Sequence, residues 1–88
     1  MKRIERWRKW LPRAPQTEAE KVRCPACLSS TVSSHWQRVG ESVGWAAFWC
    51  DECKEGIQVS RVVFTDGRDA SDGDFAEKAA GISWVNNG

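Results

Sequence analysis

The chain is poor in the side chains that perform most enzyme chemistry. It contains one histidine, no tyrosine and no cysteine beyond four that occur in two short motifs. No Ser/His/Asp arrangement, glycine-rich phosphate loop or pair of catalytic carboxylates can be placed along it. We therefore predict no catalytic residue, no small-molecule substrate and no enzyme activity.

The sequence also lacks a long apolar segment. No run of about 18 apolar residues occurs, so no membrane-spanning helix is expected. The N-terminal segment is charged and has no apolar core of the kind found in secretory signal peptides. We expect a cytoplasmic protein, in which thiols stay reduced. The alternative is a secreted domain with two disulfides, for which four cysteines allow three connectivities.

The charges are distributed unevenly, although the net charge of the 88 residues is only +1. Residues 1–23 carry eight Lys or Arg and three Glu, a local net charge of +5. Residues 66–88 carry two basic and five acidic residues, a local net charge of −3. A chain of this length forms one small domain, and such domains often need a metal ion or disulfides for stability.

All four cysteines fall in two CxxC motifs, Cys24 with Cys27 and Cys50 with Cys53, separated by 22 residues. Two intervening residues let both sulfurs of a motif face one ion, and two such motifs make a closed tetrahedral site that suits Zn²⁺. We predict one structural Zn²⁺ on these four ligands. Redox dithiols would instead need CxxC at a helix start in an α/β domain, and no strand–helix–strand pattern is present.

The middle of the chain has the composition of β-strands. Residues 31–39 and 43–50 are rich in β-branched and aromatic side chains, and a turn at Gly40 lies between them. Residues 57–64 form a third strand candidate. Strand alternation places Trp45, Ala47 and Trp49 on one face of the second strand and Ala46 and Phe48 on the other. In the third strand it places Ile57, Val59, Arg61 and Val63 on one face.

The N-terminal segment has the pattern of a short amphipathic helix over residues 2–11. Its apolar side chains recur at helical spacing, and they are Ile4, Trp7, Trp10 and Leu11. Pro12 and Pro15 would end the helix and begin a linker. Because so short a helix is marginal in water, we expect it to dock on a partner protein or on its own domain. We predict partner binding through these four residues.

The basic side chains of the same segment suggest an alternative partner. Phosphate groups of nucleic acid would be contacted by Arg3, Arg6, Arg8, Lys9 and Arg13. An anionic membrane surface is a third and less favoured partner. Because the first two strands, 31–39 and 43–50, carry only Arg38 as a basic residue, Trp36, Trp45 and Trp49 are expected in the core or at a protein interface rather than stacked on bases.

The C-terminal segment combines an acidic loop with a short ordered end. Ser71 or Asp72 is a candidate cap for a helix over 75–80, which Gly81 would terminate. Residues 82–85 are expected to add a last short strand or to pack on the core. The single histidine, His35, is predicted to be a surface or half-buried structural residue, because four thiolates already complete a tetrahedral site.

The two motifs and the strands around them resemble the zinc ribbon family, over about residues 21–65. The resemblance implies that Cys24, Cys27, Cys50 and Cys53 hold Zn²⁺ between two knuckles, above a three-stranded antiparallel sheet. Many members have Gly directly after the second cysteine of each knuckle, where a positive φ is required. Leu28 and Lys54 occupy those positions, and we expect Gly56 to provide the bend of the second knuckle.

These patterns predict a small metal-stabilised domain, mainly antiparallel β, with a short N-terminal helix and a C-terminal helical turn. Residues 1–20 form the basic helix and its linker, 21–65 the zinc ribbon, and 66–88 the acidic loop with a short helix or strand. The predicted function is a non-catalytic zinc-binding module that mediates a macromolecular interaction, with a protein partner favoured. The alternatives are a nucleic-acid-binding ribbon and, less favoured, a redox or rubredoxin-like iron protein.

Overall fold

The structure is a computed structural model that describes residues 3–14, 21–28, 30–64, 70–71 and 73–86, without the side chain of Arg3. Its elements in chain order are α1 (Arg3–Trp10), a 3₁₀ turn (Leu11–Arg13), β1 (Ser33–Arg38), β2 (Val43–Cys50), β3 (Glu55–Val63), α2 (Phe75–Lys78) and β4 (Ser83–Trp84). None of the described helices is long and apolar enough to cross a membrane. The predicted linker at Pro15 and the predicted cap Asp72 lie outside the described residues.

The strands form one mixed sheet in the order β1-β2-β3-β4. The first three are antiparallel, as the sequence predicts. β4 adds to β3 in parallel, through Glu55 opposite Ser83 and Gly56 opposite Trp84. Helix α2 lies between β3 and β4 in the chain and packs on the face of Ala47 and Trp49. The sheet is therefore mixed, with one parallel pair at its edge.

β2 is buried on both faces and divides the core in two, as its alternation predicts. We call the face of Ala46 and Phe48 the metal face, because Cys50 lies on the same side. We call the face of Ala47 and Trp49 the second face. Each face has its own hydrophobic cluster and its own helix.

The predicted face of Val63 is wrong because β3 contains a β-bulge. Gly44 pairs with Val62 while Ala46 pairs with Val59, so β3 has one more residue than β2 in this interval. An extra residue reverses the alternation beyond it. Val62 therefore packs against the metal-face cluster together with Val59, and Val63 is exposed.

Helix α1 docks on the metal face through two tryptophans. Trp7 is 0% and Trp10 is 6% exposed. Trp7 Nε1 donates a hydrogen bond to Glu55 Oε1 at 3.1 Å, and Trp10 Nε1 donates to the carbonyl oxygen of Arg23 at 3.0 Å. The Trp10 ring also packs edge-on against Phe48 with centroids 5.6 Å apart. A helix of this length needs such packing to persist, and the chain's own sheet provides it.

The C-terminal helix α2 packs on the second face and is capped by a residue that the sequence analysis did not select. Asp74 accepts a hydrogen bond from the backbone N–H of Ala76 at 2.9 Å. Ser71 instead joins β1, because its N–H donates to the Trp36 carbonyl at 2.7 Å and its Oγ accepts from the Trp36 N–H at 2.9 Å. The helix ends at Lys78, two residues earlier than predicted.

Candidate metal centre

The first knuckle is a tight turn held by backbone hydrogen bonds. The N–H of Cys24 donates to the Ser30 carbonyl at 2.8 Å, and the N–H of Leu28 donates to the Cys24 carbonyl at 3.1 Å. Arg23 and Thr31 form an antiparallel bridge at the base of the turn. Leu28 has φ +60°, so a branched apolar side chain occupies a conformation that glycine adopts more readily.

The second knuckle joins β2 to β3 and has the same geometry. The N–H of Lys54 donates to the Cys50 carbonyl at 2.9 Å, and Lys54 has φ +59°. The expectation that Gly56 provides this bend is therefore wrong, because Lys54 adopts the left-handed conformation itself. Gly56 lies inside β3, where a Cβ atom would lie 2.6 Å from the Phe48 carbonyl oxygen and 2.7 Å from the Trp84 ring. Close packing of the neighbouring strands requires glycine there.

The two knuckles bring the four predicted cysteine ligands together. Their sulfur atoms all lie within 4.8 Å of one another, so the group can hold a metal ion. The Sγ atoms of Cys24 and Cys53 are 3.7 Å apart, as are those of Cys27 and Cys50. All four cysteines are free, and these separations are far longer than the ~2.05 Å of a disulfide bond.

Ser30 is a polar neighbour of the sulfurs that the sequence analysis did not identify. Its Oγ lies 2.9 Å from Cys50 Sγ and 3.6 Å from Cys27 Sγ. A hydroxyl at this distance can donate a hydrogen bond to a thiolate and orient it. The only sequence signal is its position three residues after Cys27, which the CxxC pattern does not include.

Burial makes two of the thiols, those of Cys24 and Cys53, poor acids when no cation is present. It raises the pKa of the Cys24 thiol, against the opposing effect of backbone N–H donors from Cys27 and Ala26. Burial, with hydrogen bonds from neighbouring thiols, raises the pKa of Cys53 to about 12. These thiols are therefore protonated at neutral pH without a metal, and a metal ion that binds them must displace protons.

The other predicted site residues lie on α1 and just beyond it, in two sets. Of the apolar set, Trp7 and Trp10 are buried in the chain's own core, and Ile4 and Leu11 are half-buried. Of the basic set, Arg6 is half-buried, and the exposed members are Arg8, Lys9 and Arg13. Partner binding by either set stays a prediction.

His35 is fully buried on the second face, away from the cysteine group. Its Nδ1 lies 3.1 Å from Lys78 Nζ, and its Nε2 lies 3.2 Å from Gln37 Oε1. A lysine ammonium can only donate, so Nδ1 is the acceptor in this contact. The ring packs between Trp45 and Phe75, so the expectation of a surface or half-buried position is wrong, and a structural role for His35 stays a prediction.

Comparisons with protein-family models, with curated proteins and with solved structures gave no match to this chain.

Proposed function

We propose that the four cysteines hold one Zn²⁺ and that the protein is a non-catalytic, metal-stabilised binding module. The sulfur separations carry the proposal. In a tetrahedron with Zn–S bonds of about 2.3 Å, neighbouring sulfurs are about 3.8 Å apart. Two sulfur pairs that join the knuckles are 3.7 Å apart. Little movement of the backbone would therefore be needed to close the site.

A four-thiolate site favours a structural metal over a catalytic one. Four protein ligands complete the tetrahedron and leave no position for a reactive water or a substrate. Cys24 and Cys50 are fully buried, which limits access further. The bound ion would fasten the segment before β1 to the β2–β3 turn. Helix α1 depends on this segment, because Trp10 donates a hydrogen bond to the Arg23 carbonyl.

We propose a protein as the partner of this module. Exposed apolar side chains support this choice, including Leu28 beside the cysteines and Val63 at the opposite end of the sheet, which are 62% and 58% exposed. Because Trp7 and Trp10 fill the core, a partner would reach the predicted apolar stripe through Ile4 and Leu11. The nucleic-acid alternative is supported by the exposed Arg8 and Lys9, and it would require affinity that falls steeply with salt.

The metal proposal is tested by the metal content of the purified chain, measured by mass spectrometry under native conditions. We expect one Zn²⁺ per chain, and loss of the circular dichroism signal of the folded state after treatment with a strong chelator. Cys27→Ser should lower zinc occupancy, whereas Ser60→Ala, a change at an exposed residue of β3, should retain it. A folded, metal-free chain with two disulfides would refute the proposal, and a coloured iron protein would replace zinc with iron.

A further inference from the structure

A cleft separates helix α1 from the first knuckle, with a volume of about 440 Å³. Basic side chains line both of its walls. Arg6, Lys9 and Arg13 come from the α1 segment, and Arg23 comes from the segment that enters the first knuckle. Arg23 was not among the residues predicted to bind a partner. We call this cleft the basic groove.

The four cations of the basic groove have no described acidic neighbour that neutralises them. In the part of the chain that the structure describes, no ion pair involves the side chain of Arg6, Lys9, Arg13 or Arg23. Like charges on facing walls repel one another and concentrate positive potential in a cleft. A negatively charged occupant would relieve this repulsion.

The knuckle side of the basic groove is apolar as well as basic. Val22, Pro25 and Leu28 line it. Leu28 is 62% exposed and has a positive φ. Neither property helps the chain to fold, because Gly or Asn would adopt this conformation with less strain and would expose no apolar surface. An exposed leucine on strained backbone at the mouth of a cleft is typical of a contact residue.

We propose that the basic groove binds an acidic segment of a partner protein that carries at least one large apolar side chain. The carboxylates of the segment would pair with the guanidinium and ammonium groups, and its apolar side chain would pack on Leu28 and Pro25. This inference rests on the proposed function and names the partner chemistry of that module. Charge complementarity and the apolar wall carry it.

The groove suits a peptide better than a nucleic acid. Base stacking needs an exposed aromatic ring, and the tryptophan at the groove, Trp10, is only 6% exposed with its N–H donated to the Arg23 carbonyl. No other aromatic side chain is among the described residues that line the groove. The side chains of the apolar wall also have no hydrogen-bond donor or positive charge for a phosphate group.

The test measures fluorescence anisotropy of a labelled short peptide rich in Asp and Glu with interspersed Leu, added to the zinc-loaded full chain. A peptide of equal charge with each Leu replaced by Ser serves as the first control. We expect the Leu-containing peptide to bind more tightly. Arg13→Gln combined with Arg23→Gln should weaken its binding about tenfold, through loss of two ion pairs.

Matched variants separate the groove from general surface charge. Arg8→Gln combined with Arg61→Gln removes the same charge from exposed residues outside the groove, and should leave affinity within about twofold. Leu28→Asn keeps a residue that tolerates positive φ and should weaken binding about fivefold through lost apolar contact. Equal losses from both arginine pairs, or no loss from Leu28→Asn, would overturn the proposal.

Two further measurements distinguish a peptide from a nucleic acid as the occupant, and failure of the groove proposal from failure of the proposed function. A labelled single-stranded oligonucleotide and a short duplex are titrated in parallel, and tighter binding of either at the same four cations would overturn the choice of a peptide. Zinc content and circular dichroism are recorded for every sample. A zinc-loaded, folded chain that does not bind the peptide refutes only the groove proposal, whereas a folded chain without metal refutes the proposed function.

Discussion

The two faces of the sheet are stabilised by different means, although β2 contributes to both. On the metal face, the four cysteine sulfurs lie together where the segment before β1 meets the β2–β3 turn, and helix α1 is tied to that segment and to β3 by two indole hydrogen bonds. On the second face, α2 and β4 pack by ring contacts among Trp45, Trp49, Phe75 and Trp84. One face therefore combines a cysteine group that can hold a metal ion with polar anchors, and the other depends on aromatic packing.

Three of the buried tryptophans differ in whether the indole N–H group has a hydrogen-bond acceptor. Trp7 and Trp10 on the metal face each donate their N–H to an oxygen atom. On the second face, Trp49 Nε1 is buried and has no hydrogen-bond partner among the described residues. A buried donor without a partner is costly, so Trp10 and Trp49 should respond differently to the same substitution.

The largest effect is expected from loss of the metal site. Cys50→Ser removes a buried ligand and leaves three thiols around the ion. Structural Zn²⁺ contributes on the order of 10 kcal/mol in small domains, which is comparable to the whole stability of a domain. We expect the variant to lose its cooperative thermal transition. Retention of that transition in a metal-free Cys50→Ser chain would mean that aromatic packing suffices for both faces.

The next largest effect is expected where α1 docks. Trp7→Ala empties a fully buried site on the metal face and should destabilise the zinc-loaded protein by about 3–5 kcal/mol. Trp84→Ala is the matched change on the second face, where the ring is only half-buried, and should cost about half as much. Denaturant unfolding of both variants measures the difference. Equal losses in the free energy of unfolding would show that docking of α1 contributes no more to stability than β4 does.

A smaller effect separates packing from hydrogen bonding. Trp10→Phe and Trp49→Phe remove similar ring volume, but only the first breaks an indole hydrogen bond and leaves the Arg23 carbonyl without its donor. We expect Trp10→Phe to cost about 1 kcal/mol more than Trp49→Phe in the free energy of unfolding. If Trp49→Phe were the costlier change, its indole N–H would have a partner that the described residues do not include.

The smallest effect is expected at the knuckle backbone, and its sign is stabilising. Lys54→Gly relieves a left-handed conformation that costs a non-glycine residue about 1–2 kcal/mol, and the greater freedom of glycine in the unfolded chain offsets part of this gain. We expect a net gain of about 0.5 kcal/mol. Gly81→Ala is the reverse change at a positive φ and should lower the melting temperature. Destabilisation by Lys54→Gly would indicate that the lysine side chain holds the knuckle.

The predictable part of the fold followed local rules. CxxC spacing identified the four sulfurs, and strict alternation in β2 assigned its two faces. Helical periodicity identified the apolar stripe of α1, of which Trp7 and Trp10 are buried. Each of these depends on residues near one another in the chain. Single-residue alternation could not reveal the bulge in β3, because the extra residue is defined only by pairing with β2.

The parts that sequence reasoning missed depend on tertiary contacts. The parallel pairing of β4 with β3 depends on packing on the second face, and no sequence pattern near β4 indicates it. The contact between Ser30 and Cys50 joins residues 20 positions apart. The basic groove forms only when α1 lies beside the first knuckle, which brings Arg23 next to Lys9 and Arg13. Composition showed a basic N-terminal segment, but it could not show that the α1 cations lie across a groove from Arg23.

The most direct test of the account is X-ray absorption at the zinc edge of the purified, zinc-loaded protein. The account predicts a first shell of four sulfur atoms at about 2.3 Å, from two knuckles that close around one ion. The same spectrum after Cys27→Ser should show fewer sulfur ligands. A wild-type first shell that contains nitrogen or oxygen at about 2.0–2.1 Å would contradict the four-cysteine site and, with it, the metal dependence of the face on which α1 docks.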